Sequence, residues 1–178
     1  MSNAILKGNA SGTGSVTLES PNTNSDRTIA LPDSDGTVMV SGNMPAFSAY
    51  QSSAQTLSTN TWTKITCQTE EWDTNSAYDN ATNYRFTPQA AGYYTVNGMV
   101  AVGATTTGMW LALYKNGSLY KYATQVSSVS NGALSASWQV YLNGSTDYIE
   151  FYCRLTIGQT LSAASSDTYF QASMVRTA

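Results

Sequence analysis

Met109-Trp110-Leu111-Ala112-Leu113-Tyr114-Lys115-Asn116-Gly117-Ser118-Leu119-Tyr120-Lys121-Tyr122-Ala123-Thr124 is the stretch whose reading decides the fold class. Two runs, Met109–Tyr114 and Leu119–Thr124, meet at Asn116-Gly117. An Asn-Gly pair flanked by alternating apolar residues is among the strongest short-range hairpin signals, because both residues tolerate the positive φ of a tight turn. Moving outward, Leu134–Leu142 and Tyr148–Leu155 read as a second pair across Asn143–Asp147, and Thr168–Arg176 as a final strand. Upstream, Tyr84–Thr87 and Tyr93–Val102 are split by a turn at Pro88–Gly92. Trp62–Gln68 sets Trp62, Lys64 and Thr66 against Thr63, Ile65 and Cys67, the period-two pattern of a half-buried strand. No segment sustains helical periodicity with caps, so essentially no helix is expected. Eight or so strands in about 130 residues, with turns at short spacing, predict an all-β antiparallel fold, a sandwich or a jelly roll. A long meander is the alternative, and it would leave an edge exposed.

Composition agrees. Of 178 residues, 42% are hydrophobic, enough for a buried core, but only 11% are charged. An ordinary soluble domain carries roughly 25%. Ser, Thr, Asn and Gln take their place, and there are 12 Tyr against 8 Lys and Arg. Thr and Tyr suit exposed strands, whereas helix surfaces draw on Glu, Lys, Arg and Ala. With a net charge of −3 and single, scattered basic residues, the chain lacks the concentrated basic footprint that nucleic acid requires. Met1–Gly12 holds one basic residue, Lys7, and no apolar core of a signal peptide, and no stretch has the length of a membrane-spanning helix. The expectation is synthesis in a cytoplasm, without membrane insertion. Cys67 and Cys153 could pair on paper; two buried free thiols suit a reducing compartment better.

Residues 1–44 have a different texture, free of aromatics and dense in Gly, Ser, Thr and Asn. Short strands are expected at Ser15–Leu18, Thr28–Leu31 and Thr37–Val40, with turn clusters at Ser20–Ser25 and Pro32–Gly36. Strands of about four residues cannot bury enough apolar surface to fold alone. Such a segment needs partner chains. Ser41–Pro45 reads as a linker, which divides the chain into a β-structured stalk or attachment segment, 1–44, and a head domain, 45–178.

Several blocks of the head, in order, resemble a known family. These are Phe47-Ser48-Ala49, Tyr84–Phe86 with Gly92-Tyr93-Tyr94-Thr95-Val96, Leu113-Tyr114-Lys115-Asn116-Gly117, Leu142-Asn143-Gly144 with Tyr148-Ile149-Glu150-Phe151, and Tyr169–Val175. Together they resemble the complement globular-head domain, a relative of the tumour-necrosis-factor jelly roll. The family's closing Phe-x-Gly-Phe reads Phe170-Gln171-Ala172-Ser173 here, and its Asp after Gly stands at Asp147, so no calcium or ligand site is carried over. In the first segment, Gly14-Ser15-Val16-Thr17-Leu18, Pro21-Asn22-Thr23-Asn24-Ser25, Arg27-Thr28-Ile29-Ala30-Leu31-Pro32-Asp33 and Asp35-Gly36-Thr37-Val38 resemble a unit common in phage tail-fibre proteins. The two resemblances imply a homotrimer: an intertwined three-chain β stalk below a jelly-roll head, located in a virion tail.

The catalytic kit is thin. With no His, neither a Ser–His–Asp nor a Cys–His site can be built in its usual form, and His metal sites vanish as well. Glu70, Glu71 and Asp73 are the densest carboxylate cluster, read against a glycosidase pair as a solvated loop or strand end. Asp33-Ser34-Asp35-Gly36 fails as a calcium loop, since Val38 and Met44 fall where Gly and a bidentate acid are needed. Asn80-Ala81-Thr82, Asn116-Gly117-Ser118 and Asn143-Gly144-Ser145 match the glycosylation pattern but read as turns. Gly98, inside a strong strand pattern, signals a bulge or a close approach made for packing. No cofactor or metal is expected.

Aromatic residues are the remaining signal, because sugar recognition stacks rings on exposed Trp and Tyr beside polar donors. The pool is Trp62, Trp72, Trp110, Trp138, Tyr114, Tyr120 and Tyr122. Trp110 and Trp138 sit in strong strand patterns and are assigned to core or trimer-axis packing. Trp72 with nearby Tyr78, in the polar stretch Gln68–Ala81, and Tyr114, Tyr120 and Tyr122 around the hairpin are the candidate receptor contacts. The expectation is a noncatalytic, homotrimeric phage tail-fibre protein. Its partners would be other tail proteins and a bacterial surface glycan or protein. A purely structural virion spike or decoration protein and a polysaccharide-degrading tailspike are the alternatives.

Overall fold

The computed structural model describes residues 11–14, 17, 19, 22, 24–26, 28, 36, 38–40, 42 and 44–178. The chain divides into two compact units, Met1–Gly36 and Thr37–Ala178. In the first, the described residues are exposed and form no strand. The strands expected at Ser15–Leu18 and Thr28–Leu31 lie outside the described residues, save Thr17 and Thr28, and so does Asp33-Ser34-Asp35. Val38–Val40, where a third strand was expected, carry no regular structure.

The second unit is a two-sheet antiparallel sandwich, within the range its strand pattern predicts and of the jelly-roll kind that the family resemblance implies. Eleven strands are formed among the described residues: β1 Ala46–Tyr50, β2 Thr63–Lys64, β3 Thr69–Asp73, β4 Tyr78–Asp79, β5 Arg85–Phe86, β6 Ala91–Val102, β7 Met109–Lys115, β8 Ser118–Val126, β9 Gly132–Asn143, β10 Ile149–Leu155 and β11 Tyr169–Thr177. The first sheet runs β3-β1-β11-β6-β9; the second runs β4-β5-β10-β7-β8, with β2 also pairing β10. β9 and β8 are each one of the two edges of their sheets, opposite β3 and β4, and these two strands lie against each other on one side of the sandwich.

The core lies between the sheets and is aromatic. Phe47 stacks on Tyr78 at 4.5 Å between ring centroids and on Phe86 at 4.6 Å, and Phe151 stacks on Phe170 at 5.6 Å. In β6 the alternation is complete: Gly92, Tyr94, Val96, Gly98, Val100 and Val102 are buried while the residues between them are not. A Cβ on Gly98 would sit 2.7 Å from the Phe151 ring, so the glycine makes the close approach that its place in a strand implied. Cys67 and Cys153 are both buried and unpaired. The Asn116-Gly117 turn has φ of 53° and 75°, as the hairpin reading requires.

Four expectations change. Leu134–Leu142 and Tyr148–Leu155 do not pair: β9 joins β6 in the first sheet and β10 joins β7 in the second. Asn143 Oδ1 accepts the N–H groups of Ser145, Thr146 and Asp147, and Gly144 has φ of 71°, so the chain crosses between sheets instead of folding back. The Trp62–Gln68 strand shortens to β2, because the Gln55 side chain, not a neighbouring strand, receives the Thr66 N–H. Thr69–Asp73, read as loop or strand end, is the edge strand β3, with Glu71 as the extra residue of a bulge opposite Ser48 and Ala49. Tyr78, expected at the surface, is only 6% exposed; its ring fills the space beside Phe47 and its hydroxyl donates to the Cys67 carbonyl at 3.2 Å.

Candidate binding face on the second sheet

Alternation along β10 and β7 sends Cys153, Leu155, Leu111 and Leu113 into the core, and Tyr152, Arg154, Trp110, Ala112 and Tyr114 to the opposite face. The register then assembles rows across four strands. Arg154 pairs with Trp110, and Trp110 with Gln125. Trp62 stands one residue before the Thr63–Cys153 pair, on the other side of Arg154. In the next row Tyr152 pairs with Lys64 on one side and Ala112 on the other, and Ala112 pairs with Tyr122. Ala112 is the smallest side chain in the rows and is fully covered by its neighbours.

Next to it runs a groove of about 350 Å³ lined by Trp62, Trp110, Tyr122, Ala123, Gln125 and Arg154. The Trp62 and Tyr122 rings are 5.7 Å apart and tilted by 30°. Tyr122 is 60% exposed, the most open aromatic of the sandwich. The Arg154 guanidinium lies 4.7 Å from the Trp110 ring centroid, a cation–π arrangement. Nη2 reaches Asn60 Oδ1 at 3.5 Å, and the buried Nε has no hydrogen-bond partner. The two ion pairs among the described residues are Lys64 with Glu150 and Lys115 with Asp147, so Arg154 has no carboxylate against it. Beside the groove, Tyr114 and Tyr152 stack at 3.9 Å. Burial pushes the Tyr152 hydroxyl up to about 12, and the Tyr114 hydroxyl is raised by the same cause, so both keep their protons as donors.

The sequence-derived contacts are thus split. Tyr114 and Tyr122 share the outer face of the second sheet. Tyr120 is the extra residue of a bulge on the β8 edge. Trp72, 46% exposed, belongs to the first sheet, beside Asn97, Gln171 and Ser173. Tyr78 is in the core. Trp138 is buried as assigned, whereas Trp110 is half-exposed on the outer face, because it alternates with Met109 and Leu111. Arg154 and Gln125 were missed. The alternation of Tyr152, Cys153 and Arg154 could have flagged Arg154 as an outward charge, but its neighbours come from distant segments.

The carboxylate cluster is occupied structurally. Glu71 accepts a 2.7 Å hydrogen bond from Ser48 Oγ, and Asp73 accepts the N–H groups of Asn75 and Tyr78. Partial burial, reinforced by the Asp73 charge, raises the Glu70 carboxyl. Two acids committed to β3 and its turn are not free to flank a glycosidic bond.

No family model matches the sequence, and no curated protein matches it either. Solved structures do match in shape. The crystal structure of murine APRIL superposes with a TM-score of 0.56 at 12% identity, covering 74% of this chain and 99% of that one. The structure of Eiger TNF from S. frugiperda gives 0.52 at 12% identity, covering 76% and 93%. At such identity the likeness concerns the fold, which is a tumour-necrosis-factor-like jelly roll.

Proposed function

We propose that this chain is a noncatalytic attachment protein of a phage tail, acting as a homotrimer that presents its jelly-roll heads to a glycan or protein on a bacterial surface. The observation that carries this reading is the uncovered aromatic face of the second sheet. The core between the sheets is complete without it, yet Trp62, Trp110, Tyr114, Tyr122 and Tyr152 are spent on the outside. Clustered aromatics with polar tips characterise recognition surfaces. The tail-fibre resemblance of the 14–38 stretch supports the virion location.

Self-association is supported by the β9 edge of the first sheet, which is twelve residues long. A long exposed edge invites pairing or burial against another chain. On the outer face of the first sheet Tyr93, Tyr141 and Val175 are each more than two-fifths exposed, apolar surface that a neighbouring copy would cover. Three linked heads would turn a weak site into firm adhesion through effective concentration alone.

Binding of fluorescently labelled full-length protein to intact candidate host cells tests the attachment reading. Saturable binding that drops when the cells are stripped of surface glycan supports a glycan receptor; binding that survives stripping points to a protein. Absence of binding to every host that the parent phage adsorbs to, with adsorption unimpaired in particles lacking the chain, would favour the purely structural spike.

A further inference from the structure

We infer that the groove between Trp62, Trp110 and Tyr122 is a subsite for a carboxylate-bearing pyranose, a uronic or sialic acid unit of an acidic glycan, with Arg154 as the carboxylate partner. The inference rests on the attachment reading above and specifies its ligand.

Three features select this chemistry. Trp62 and Tyr122 stand 5.7 Å apart in the groove wall, and Tyr122 is open to solvent, aromatic surface able to stack on the apolar face of a sugar ring. Gln125, exposed and paired in register with Trp110, supplies an amide able both to donate to and accept from hydroxyls. Arg154 of β10 supplies a cation without a carboxylate against it, whereas Lys64 of β2, in the neighbouring row, is already held 2.9 Å from Glu150. A guanidinium is the side chain best shaped for a planar carboxylate. Its position also excludes the opposite charge. Three aromatics around a groove would otherwise suit a quaternary ammonium, but the face of Trp110 is taken by Arg154 and a second cation there would be repelled.

Size and field point the same way. About 350 Å³ is at the small end of ligand pockets, room for one or two rings and not for a folded partner. The net charge of −3 provides no general attraction for polyanions. Selection of an acidic sugar must therefore come from Arg154 at short range, which makes the prediction local to one residue.

The test uses the full chain labelled with ¹⁵N, reading the indole N–H resonances of Trp62 and Trp110. The probes are methyl glucuronoside, methyl galacturonoside and sialic acid, each alongside its methyl ester, with inorganic phosphate as a bare anion. At least one acid is expected to shift both indoles, and its ester, which keeps the ring but lacks the charge, to bind about tenfold more weakly. Arg154→Gln should erase that acid-over-ester preference, while Arg154→Lys should retain part of it. Gln125→Ala, at an exposed position that leaves folding untouched, should weaken acid and ester alike. Equal binding of acid and ester, shifts with phosphate as large as with the acids, or no shift with any acid would each overturn the inference. Cell binding without acid binding would sink the ligand assignment and leave attachment standing. Acid binding without cell binding would do the reverse.

Discussion

At the residue scale, the two cysteines show how burial sets chemistry. Desolvation pushes the Cys67 thiol from 9.0 up to about 12, against a smaller opposing effect of a hydrogen bond from the Phe170 backbone, and raises Cys153 as well. A thiol reagent at pH 8 should therefore leave both untouched in the folded protein and label both in denaturant. The sign of the pH dependence follows by linkage. Once the pH passes 9.0, unfolded thiols lose protons that the native thiols retain, so the unfolded state binds fewer protons. The stabilising contribution is complete below that point and is lost as pH rises towards 12. Tyr78 and Tyr152, also raised by burial, add in the same direction from about pH 10. Urea midpoints measured at pH 7, 9 and 10.5 should fall in that order; a flat profile would contradict it. Both cysteines lie in period-two patterns that the sequence displays, so their burial was legible. The free state of the thiols was favoured from the sequence over a disulfide, and the fold shows both Cys67 and Cys153 unpaired.

At the element scale, strands carry the argument through what each face meets. β6 faces the core with two glycines, and Gly98 is where the Phe151 ring of β10 comes closest. Gly98→Ala should destabilise by about 1–3 kcal/mol through overpacking, outweighing the roughly 0.5–1 kcal/mol that Ala regains over Gly in a strand. Chemical denaturation reads this directly, and an Ala variant as stable as the parent would show that Phe151 can move aside. The Asn116-Gly117 hairpin is held from outside the turn as well as within it. Asn116 Nδ2 donates to Asp147 Oδ1 at 2.7 Å, and Lys115 reaches Asp147 Oδ2 at 2.8 Å. Asp147 is thereby held below the ordinary carboxylate range, with the Lys115 hydrogen bond as the largest cause. This one acid ties the β7–β8 turn to the crossing from β9 to β10. That crossing is where the sequence misled: a short polar loop between two alternating strands looks the same whether the chain returns in its own sheet or passes to the opposite one.

At the scale of the whole molecule, two surfaces divide the work in the proposed assembly. The outer face of the first sheet and its β9 edge are assigned to self-association, and the groove on the second sheet, walled on one side by β8, is left open for ligand. Sedimentation equilibrium should then give three times the 19.1 kDa chain mass. The double variant Tyr93→Asp, Tyr141→Asp alters two rings 5.5 Å apart on the first sheet and should shift the species towards monomer while leaving the groove's sugar response intact. A monomeric parent protein would remove the trimer from the proposal. By itself, the sequence determined the all-β class, the positions of the long strands, the Asn116-Gly117 hairpin and the close approach at Gly98. Each of these is written in local periodicity or in the backbone freedom of one or two residues. Only the tertiary structure decided that Tyr78 enters the core, that Trp110 leaves it, and that Trp62, Arg154, Trp110 and Gln125 stand in one row. The reason is physical: a period of two assigns a side chain to one face of its own strand, but not the sheet that strand will join. That choice rests on pairings between residues far apart in the chain.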